Sequence, residues 1–381
     1  MEYKALKDIA KITMGQSPDS SSYNEEKEGL PFFQGNADFG ELYPNERVWC
    51  NEPKKVAEPG DILISVRAPI GALNYAKDKC CIGRGLAAIT IEDEAERNYV
   101  FHLLKARNNE LNQRGTGSTF KAIGKNVLEE VAVPQISPDE QQKCMDMMDL
   151  LESIIRERKS QLDKLDELIK ARFVELFGDP VRNSMEWETY QLDECLERID
   201  NGKSFVCSDK PREDNYPAVL KLSAATYGDY RPSENKALLD EKQFVESAEV
   251  HAGDLLFTRK NTPELVGMAA YVQETPSKLM MPDLIFRLVP NEKTNAVFLW
   301  QLINCKEFRP VIQAISGGSA KSMSNISKER LGKIKVICPP RELQDSLVPF
   351  IKQVDKSKVA VQKALDETQT LFDSLMQEYF G

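Results

Sequence analysis

The sequence predicts a mixed α/β (α+β) protein in which two globular modules alternate with two long helices that pair as an antiparallel coiled coil. Three observations carry that prediction. A turn-and-strand pattern occurs in both halves, a Gly/Ser-rich loop follows it in both, and each half ends in a long run of heptad-spaced apolar positions.

The first repeated element is Val56-Ala57-Glu58-Pro59-Gly60-Asp61 leading into Ile62-Leu63-Ile64-Ser65. Val250-His251-Ala252-Gly253-Asp254 leading into Leu255-Leu256-Phe257-Thr258 echoes it. Gly accepts a positive φ and Asp bonds back to nearby backbone, so Gly-Asp makes a turn. The apolar run after it suits a buried strand. Further on, Gly115-Thr116-Gly117-Ser118-Thr119 with Ile123-Gly124-Lys125 is matched by Gly317-Gly318-Ser319-Ala320-Lys321 with Ile326-Ser327-Lys328. Gly117 and Gly318 are expected to shape their loops. Each loop is followed by a short β-rich run (Val131 to Pro134; Ile334 to Ile337) and a Pro-x-Glu helix start at Pro138 or Pro340. Both halves close on Phe-Gly. The offset grows from 193 (Asp61 to Asp254) to 203 (Gly178 to Gly381), which loop insertions absorb. The expected boundaries are 1–137 and 179–339 for the modules, 138–178 and 340–381 for the helices.

The first helix opens with Pro and acids, which suits the unpaired N–H groups of a first turn. Its seam runs through Met148, Leu151, Ile155, Leu162, Leu165 and Ile169 at alternating steps of three and four, with the basic Arg158 filling the step between Ile155 and Leu162. The second seam takes Leu347, Phe350, Val354, Val361, Leu371 and Leu375, and a parallel stripe through Ile351, Leu365 and Phe372 widens it. Pro349 lacks an N–H and predicts a kink or restart near Phe350. About 38 helical residues span roughly 57 Å, far more than one module needs. Each helix could simply pack on its own module. Equal length and symmetric placement favour pairing, with the pair as a spacer.

Composition narrows the functional classes. No apolar run reaches the roughly 18 residues of a membrane span, and the start, without a basic stretch leading into an apolar run, is not expected to be a secretion signal. Eight scattered cysteines without a C-x-x-C pair read as reduced thiols of a cytoplasmic protein. Two histidines leave little for a zinc site or a His-based triad. The net charge of −10 is distributed unevenly: His251 to Pro339 is locally basic, and both helices are acidic.

In its order of module, helix, module, helix, the chain resembles the specificity (S) subunits of type I restriction–modification systems. The residues that carry the resemblance are Gly60-Asp61-Ile62-Leu63-Ile64-Ser65 with Gly253-Asp254-Leu255-Leu256-Phe257, the two Gly/Ser loops, and the two Pro-x-Glu helix starts. The resemblance implies two target recognition domains, each followed by a conserved helix. It implies a subunit without chemistry that reads a split double-stranded DNA target, one half-site per domain. Two methyltransferase subunits would dock on it, with restriction (ATP-dependent translocase/nuclease) subunits joining through the complex. The modules differ away from their framework, so the half-sites should differ too.

Motifs for chemistry are missing. The sole Pro-Pro, at Pro339-Pro340, follows Cys338 and precedes Arg341, unlike the acid–Pro–Pro–aromatic motif of DNA methylases. Gly202-Lys203-Ser204 looks like the tail of a P-loop, but Glu197 stands where its first glycine is required. Asp61 and Asp254 sit in turns, where a structural role is expected. No catalytic, cofactor or metal site is assigned. The rival reading is a bipartite coiled-coil scaffold whose modules bind proteins.

The DNA-contact candidates are polar or basic residues beside the repeated strands. In the first module they are Gln34, Asn36, Arg67, Arg84, Lys121 and Lys125. Gln and Asn can pair bidentately with adenine, though Asn36 also suits an ordinary Asx turn. In the second module they are Lys221, Tyr227, Arg259, Lys260, Asn261, Lys321 and Ser322. Arg259 and Lys260 form the best pair, two cations at a strand exit facing a Pro-containing loop.

Overall fold

The computed structural model describes residues 2–117, 121–317 and 323–380. The chain divides into two compact units, 1–159 with 362–381, and 160–361. The division falls inside both long helices, so each helix belongs partly to each unit.

In the first unit, the Gly60-Asp61 turn is built as its residue types require. Gly60 has φ +87°, and the Asp61 carboxylate accepts the Glu58 N–H at 2.9 Å. The strand it launches is central to a four-stranded antiparallel sheet. Its strands are β1 (Lys11–Met14), β2 (Ile62–Ser65), β3 (Leu73–Tyr75) and β4 (Leu86–Thr90), in the order β1-β4-β2-β3. Every residue of β2 is buried, which explains its unalternating apolar run. Leu63, Leu86 and Ala88 share a core with Phe33, Ala57 and Ile82 of a second, five-stranded sheet. Helix α1 (Glu94–Ala106) joins through Phe101, whose ring stacks on Tyr75 at 4.4 Å. A two-stranded ribbon, Glu2–Ala5 with Ala132–Gln135, precedes α2 (Pro138–Phe177).

The second unit repeats this plan. Strands β5 (Leu196–Asn201), β6 (Leu255–Thr258), β7 (Ala269–Tyr271) and β8 (Ile285–Pro290) lie in the order β5-β8-β6-β7, again antiparallel. Gly253 has φ +94° and Asp254 accepts the His251 N–H at 2.9 Å, the same turn as at Asp61. The pleat of β6 sends Leu255 and Phe257 into one core and Leu256 into another. Helix α3 (Ala296–Asn304) follows β8 as α1 follows β4. Its Trp300 is half-buried and donates its indole N–H to the Gly228 carbonyl at 2.7 Å. The ribbon of Thr189–Gln191 with Lys335–Ile337 precedes α4 (Arg341–Phe380). The repeat is thus one of topology as well as of short motifs.

Both long helices run 40 residues. α2 starts on a capping box: the Ser137 hydroxyl accepts the Glu140 N–H, and the Glu140 carboxylate accepts the Ser137 N–H. The Ser137 hydroxyl and the Ser137 N–H, both donated to it, hold the Glu140 carboxyl below its ordinary value. The start of α4 is pinned by buried Gln344, whose amide donates to the Lys293 and Pro339 carbonyls and accepts the Asn295 N–H.

The expected kink at Pro349 is not a break. α4 is one helix through that position. Pro349 and Asp345, whose carbonyl loses its partner, are both exposed, so the freed carbonyl stays open to solvent. The seam residues divide between the units. In the first, Met148, Leu151, Ile155 and Leu365 are buried, together with Phe372, Met376 and Phe380. In the second, Ile169, Leu347 and Val354 enter the module core beside Phe173, Phe177 and Ile351, while Leu165 and Phe350 pack against it half-buried. Leu162, Val361 and Leu375 are half-buried. Leu371 departs from its expected place at 49% exposed, while Phe372 is buried. The buried face of α4 turns by one residue there because Phe372 meets α1, under the Lys105 ammonium at 5.8 Å.

Candidate nucleic-acid interface

In an antiparallel sheet, the ends of β1 and β2 and the start of β4 lie at one edge. Three loops therefore meet there. Val66 N–H donates to the Gly85 carbonyl at 2.9 Å, Gly83 N–H to Phe33 at 2.8 Å, and Ala68 N–H to Lys121 at 3.0 Å. These bonds gather Gln34, Arg67, Arg84 and Lys121, all exposed. Glycines permit the approach: a Cβ on Gly85 would sit 2.3 Å from the Gln34 carbonyl oxygen. No ion pair engages Arg67, Arg84 or Lys121 among the described residues.

The remaining candidates of the first module sit differently. Asn36 opens a short helical turn capped by Asp38, whose carboxylate accepts the Gln34 and Gly35 N–H groups. The Asx-type capping thus belongs to Asp38, with Asn36 half-buried beside it. Lys125 starts a helix and pairs with Glu129 at 3.2 Å.

The second module repeats the sheet-edge arrangement with other side chains. Arg259 N–H bonds the Leu284 carbonyl at 3.0 Å and the Arg259 carbonyl accepts the Ile326 N–H at 2.8 Å. Val66 makes the same two bonds, with Gly85 and Ile123. Arg259 is therefore the counterpart of buried Val66, and Lys260 that of Arg67. This position explains the geometry of Arg259, whose guanidinium lies 4.8 Å over the Phe286 ring and 3.4 Å from Asn325 Oδ1. Lys260 is half-buried, and no ion pair holds it among the described residues. Lys221 follows its strand as Gln34 does, 3.6 Å from Glu234. The Ser223 hydroxyl, with Lys221, holds the Glu234 carboxyl below its usual value.

Asn261 is buried and donates to Thr226 Oγ1 at 3.2 Å, a tie between loops. Tyr227 is exposed beneath the Arg231 guanidinium at 4.8 Å and lines a groove of about 980 Å³ with Lys170, Trp300 and Lys358. Lys321 and Ser322 lie outside the described residues, as do Ser118, Thr119, Gly318, Ser319 and Ala320.

Sequence reasoning passed over one feature of both edges. Gly15-Gln16-Ser17 and Gly202-Lys203-Ser204 form the same clasp. Gly15 N–H donates to Leu86 and Gln16 N–H to Ile82; Gly202 donates to Ile285 and Lys203 to Met281. A Cβ on Gly15 would fall 2.2 Å from the Gly83 oxygen, and on Gly202 2.0 Å from the Pro282 oxygen. The shared Gly-x-Ser spacing was the available signal, obscured in the second half by its likeness to a P-loop tail. Among the described residues, no group of three or more His, Cys, Asp or Glu side chains could hold a metal ion, and no helix is long and apolar enough to cross a membrane.

The family described as "Type I restriction modification DNA specificity domain" matches residues 1–165 and 184–368, one match per module. A relative from Methanocaldococcus jannaschii, named as the MjaX specificity subunit of a type I restriction enzyme, is 47% identical over 164 residues, 42% of this chain and 38% of the relative. The EcoEI specificity subunit of Escherichia coli is 31% identical over 231 residues, 58% of this chain and 39% of the relative. The chain's matches thus span under two fifths of the length of these two relatives. The crystal structure of a type I restriction–modification S subunit from M. genitalium aligns over 100% of this chain and 96% of its own, with TM-score 0.60 and 14% identity, a likeness of fold.

Proposed function

The chain belongs to the type I restriction–modification DNA specificity family, and we propose that it is the non-catalytic subunit that reads double-stranded DNA for such a complex. Each module, 1–137 and 179–339, serves as a target recognition domain for one half of a bipartite, asymmetric target. The observation that carries this reading is the repeated sheet edge: one backbone arrangement, in two copies, displaying different polar side chains. Gln34, Arg67, Arg84 and Lys121 stand at the first edge, Lys221 and Lys260 at the second. Side chains at groove depth read base edges, while cations on phosphates set register.

The helices 138–178 and 340–381 pair as an antiparallel coiled coil that fixes the gap between half-sites and carries two methyltransferase subunits. Restriction subunits join through that assembly, which works in the cytoplasm without a cofactor of its own. Two contacts support the pairing: Lys358 on α4 bonds Asp166 on α2, and the Arg172 guanidinium lies 5.7 Å over the Phe350 ring. The test is to express the chain with a type I methyltransferase subunit and sequence the methylated genome. A split motif with two unlike halves is expected; random or absent methylation would overturn the reading.

A further inference from the structure

The two Gly-x-Ser clasps hold equivalent residues of opposite character. Ser17 Oγ accepts the N–H of Arg84 at 3.2 Å, and Ser204 Oγ accepts the N–H of Asp283 at 3.4 Å. Both residues stand two positions before the strand at the centre of the edge, Leu86 in β4 and Ile285 in β8. The clasp bonds to Leu86 and Ile82 match those to Ile285 and Met281, so Arg84 and Asp283 occupy the same place in their modules.

We propose that this place is a base-reading position and that both modules use it on a G·C pair, Arg84 taking the guanine edge and Asp283 the cytosine edge. The proposal rests on the DNA-recognition reading above. Arg84 is exposed between two glycines and has no ion-pair partner among the described residues, so its planar fork is open to guanine O6 and N7. Asp283 offers only acceptors. The Ser204 hydroxyl donates to its Oδ1 and sets the carboxylate plane, leaving Oδ2 for an amino donor. In the major groove, cytosine N4 is such a donor; adenine N6 lies beside the N7 acceptor, which repels a carboxylate. Arg67 and Lys260, equivalent to each other at the same edges, supply cations for the flanking phosphates.

The experiment uses the full chain assembled with a type I methyltransferase subunit and a pool of random-sequence DNA duplexes, sequencing what is bound. Arg84→Ala should lower the preference for G·C at one position of one half-site about tenfold, leaving every other position unchanged. Arg84→Lys should keep the binding but lose that preference, because an ammonium lacks the fork. Asp283→Asn should move one position of the other half-site from G·C toward A·T, because a carboxamide both donates and accepts. If the unsubstituted complex enriches a motif and the folded variants enrich the same one, the inference fails while the function stands. Uniform weakening at all positions would also overturn it, marking a phosphate contact. If the unsubstituted complex enriches nothing, the DNA-reading function fails, and this inference with it.

Discussion

Asp61 and Asp254 build the same turn, yet their removal should cost very different amounts. At Asp61, 4% exposed, the carboxylate accepts the Glu58 N–H and a side-chain hydrogen bond from Thr90, and it feels the Lys11 charge without forming an ion pair. Burial raises its carboxyl above the ordinary value, so the charge is a burden on the fold. At Asp254 the carboxylate faces Arg287, which is 9% exposed. Arg287 Nε lies 2.9 Å from Asp254 Oδ2, at an angle outside hydrogen-bond geometry. Arg287 is also 3.9 Å from Asp200 and donates to the Glu249 carbonyl. Asp61→Ala removes the turn hydrogen bond and the Thr90 contact, about 1–2 kcal/mol net because a buried charge leaves with them. Asp254→Ala removes the same bond and leaves the buried Arg287 with only Asp200 at 3.9 Å and the Glu249 carbonyl, about 3–4 kcal/mol in all. The difference, about 1–3 kcal/mol, is roughly a 5- to 150-fold change in opening equilibrium. Hydrogen exchange read on the β2 and β6 peptides measures each module separately. The β6 amides of Asp254→Ala should lose far more protection than the β2 amides of Asp61→Ala. Adding Arg287→Leu to Asp254→Ala should restore much of it. Equal losses, or no rescue, would refute the buried-cation argument.

Three further outcomes follow from the geometry. Gly202→Ala places a methyl 2.0 Å from the Pro282 oxygen and should destabilise the second module by about 1–3 kcal/mol; an unchanged denaturation midpoint would show that the clasp yields freely. Burial lowers the His102 pKa, against the pull of Glu152 and Asp149, so protonation favours the unfolded chain. The stability this neutral imidazole confers is complete above the unfolded value of 6.5 and is lost as pH falls below it; hydrogen exchange of α1 should show the loss, and His102→Gln should flatten it. If α2 and α4 act as the ruler, four residues inserted in α2 add about 6 Å and should change the preferred gap between half-sites, read by methylome sequencing; an unchanged gap argues against the ruler.

The duplication, both Gly-Asp turns, the buried strands after them and both 40-residue helices were legible in the sequence, because each rests on local rules. Gly and Asp define a turn within four residues, and heptad spacing defines a helix face. Local rules did not settle which cations face outward. Arg259 and Lys260 are neighbours in sequence, and strand direction alone does not say that Arg259 takes the place of buried Val66. That follows from its bonds to Leu284 and Ile326, partners 25 and 67 residues away. The same holds for Asn261, spent on Thr226, and for Leu371, displaced from the buried face by Phe372 against α1. Arg84 and Asp283 could not be matched by spacing, because the loops before them differ in length and their flanking residues are unrelated. Their equivalence exists in the backbone clasp, where two glycines tolerate a carbonyl that any Cβ would exclude. The sequence by itself determined which elements form and that they form twice. Tertiary structure decided which side chains stand at the sheet edge, because that depends on long-range hydrogen bonds that no local pattern encodes.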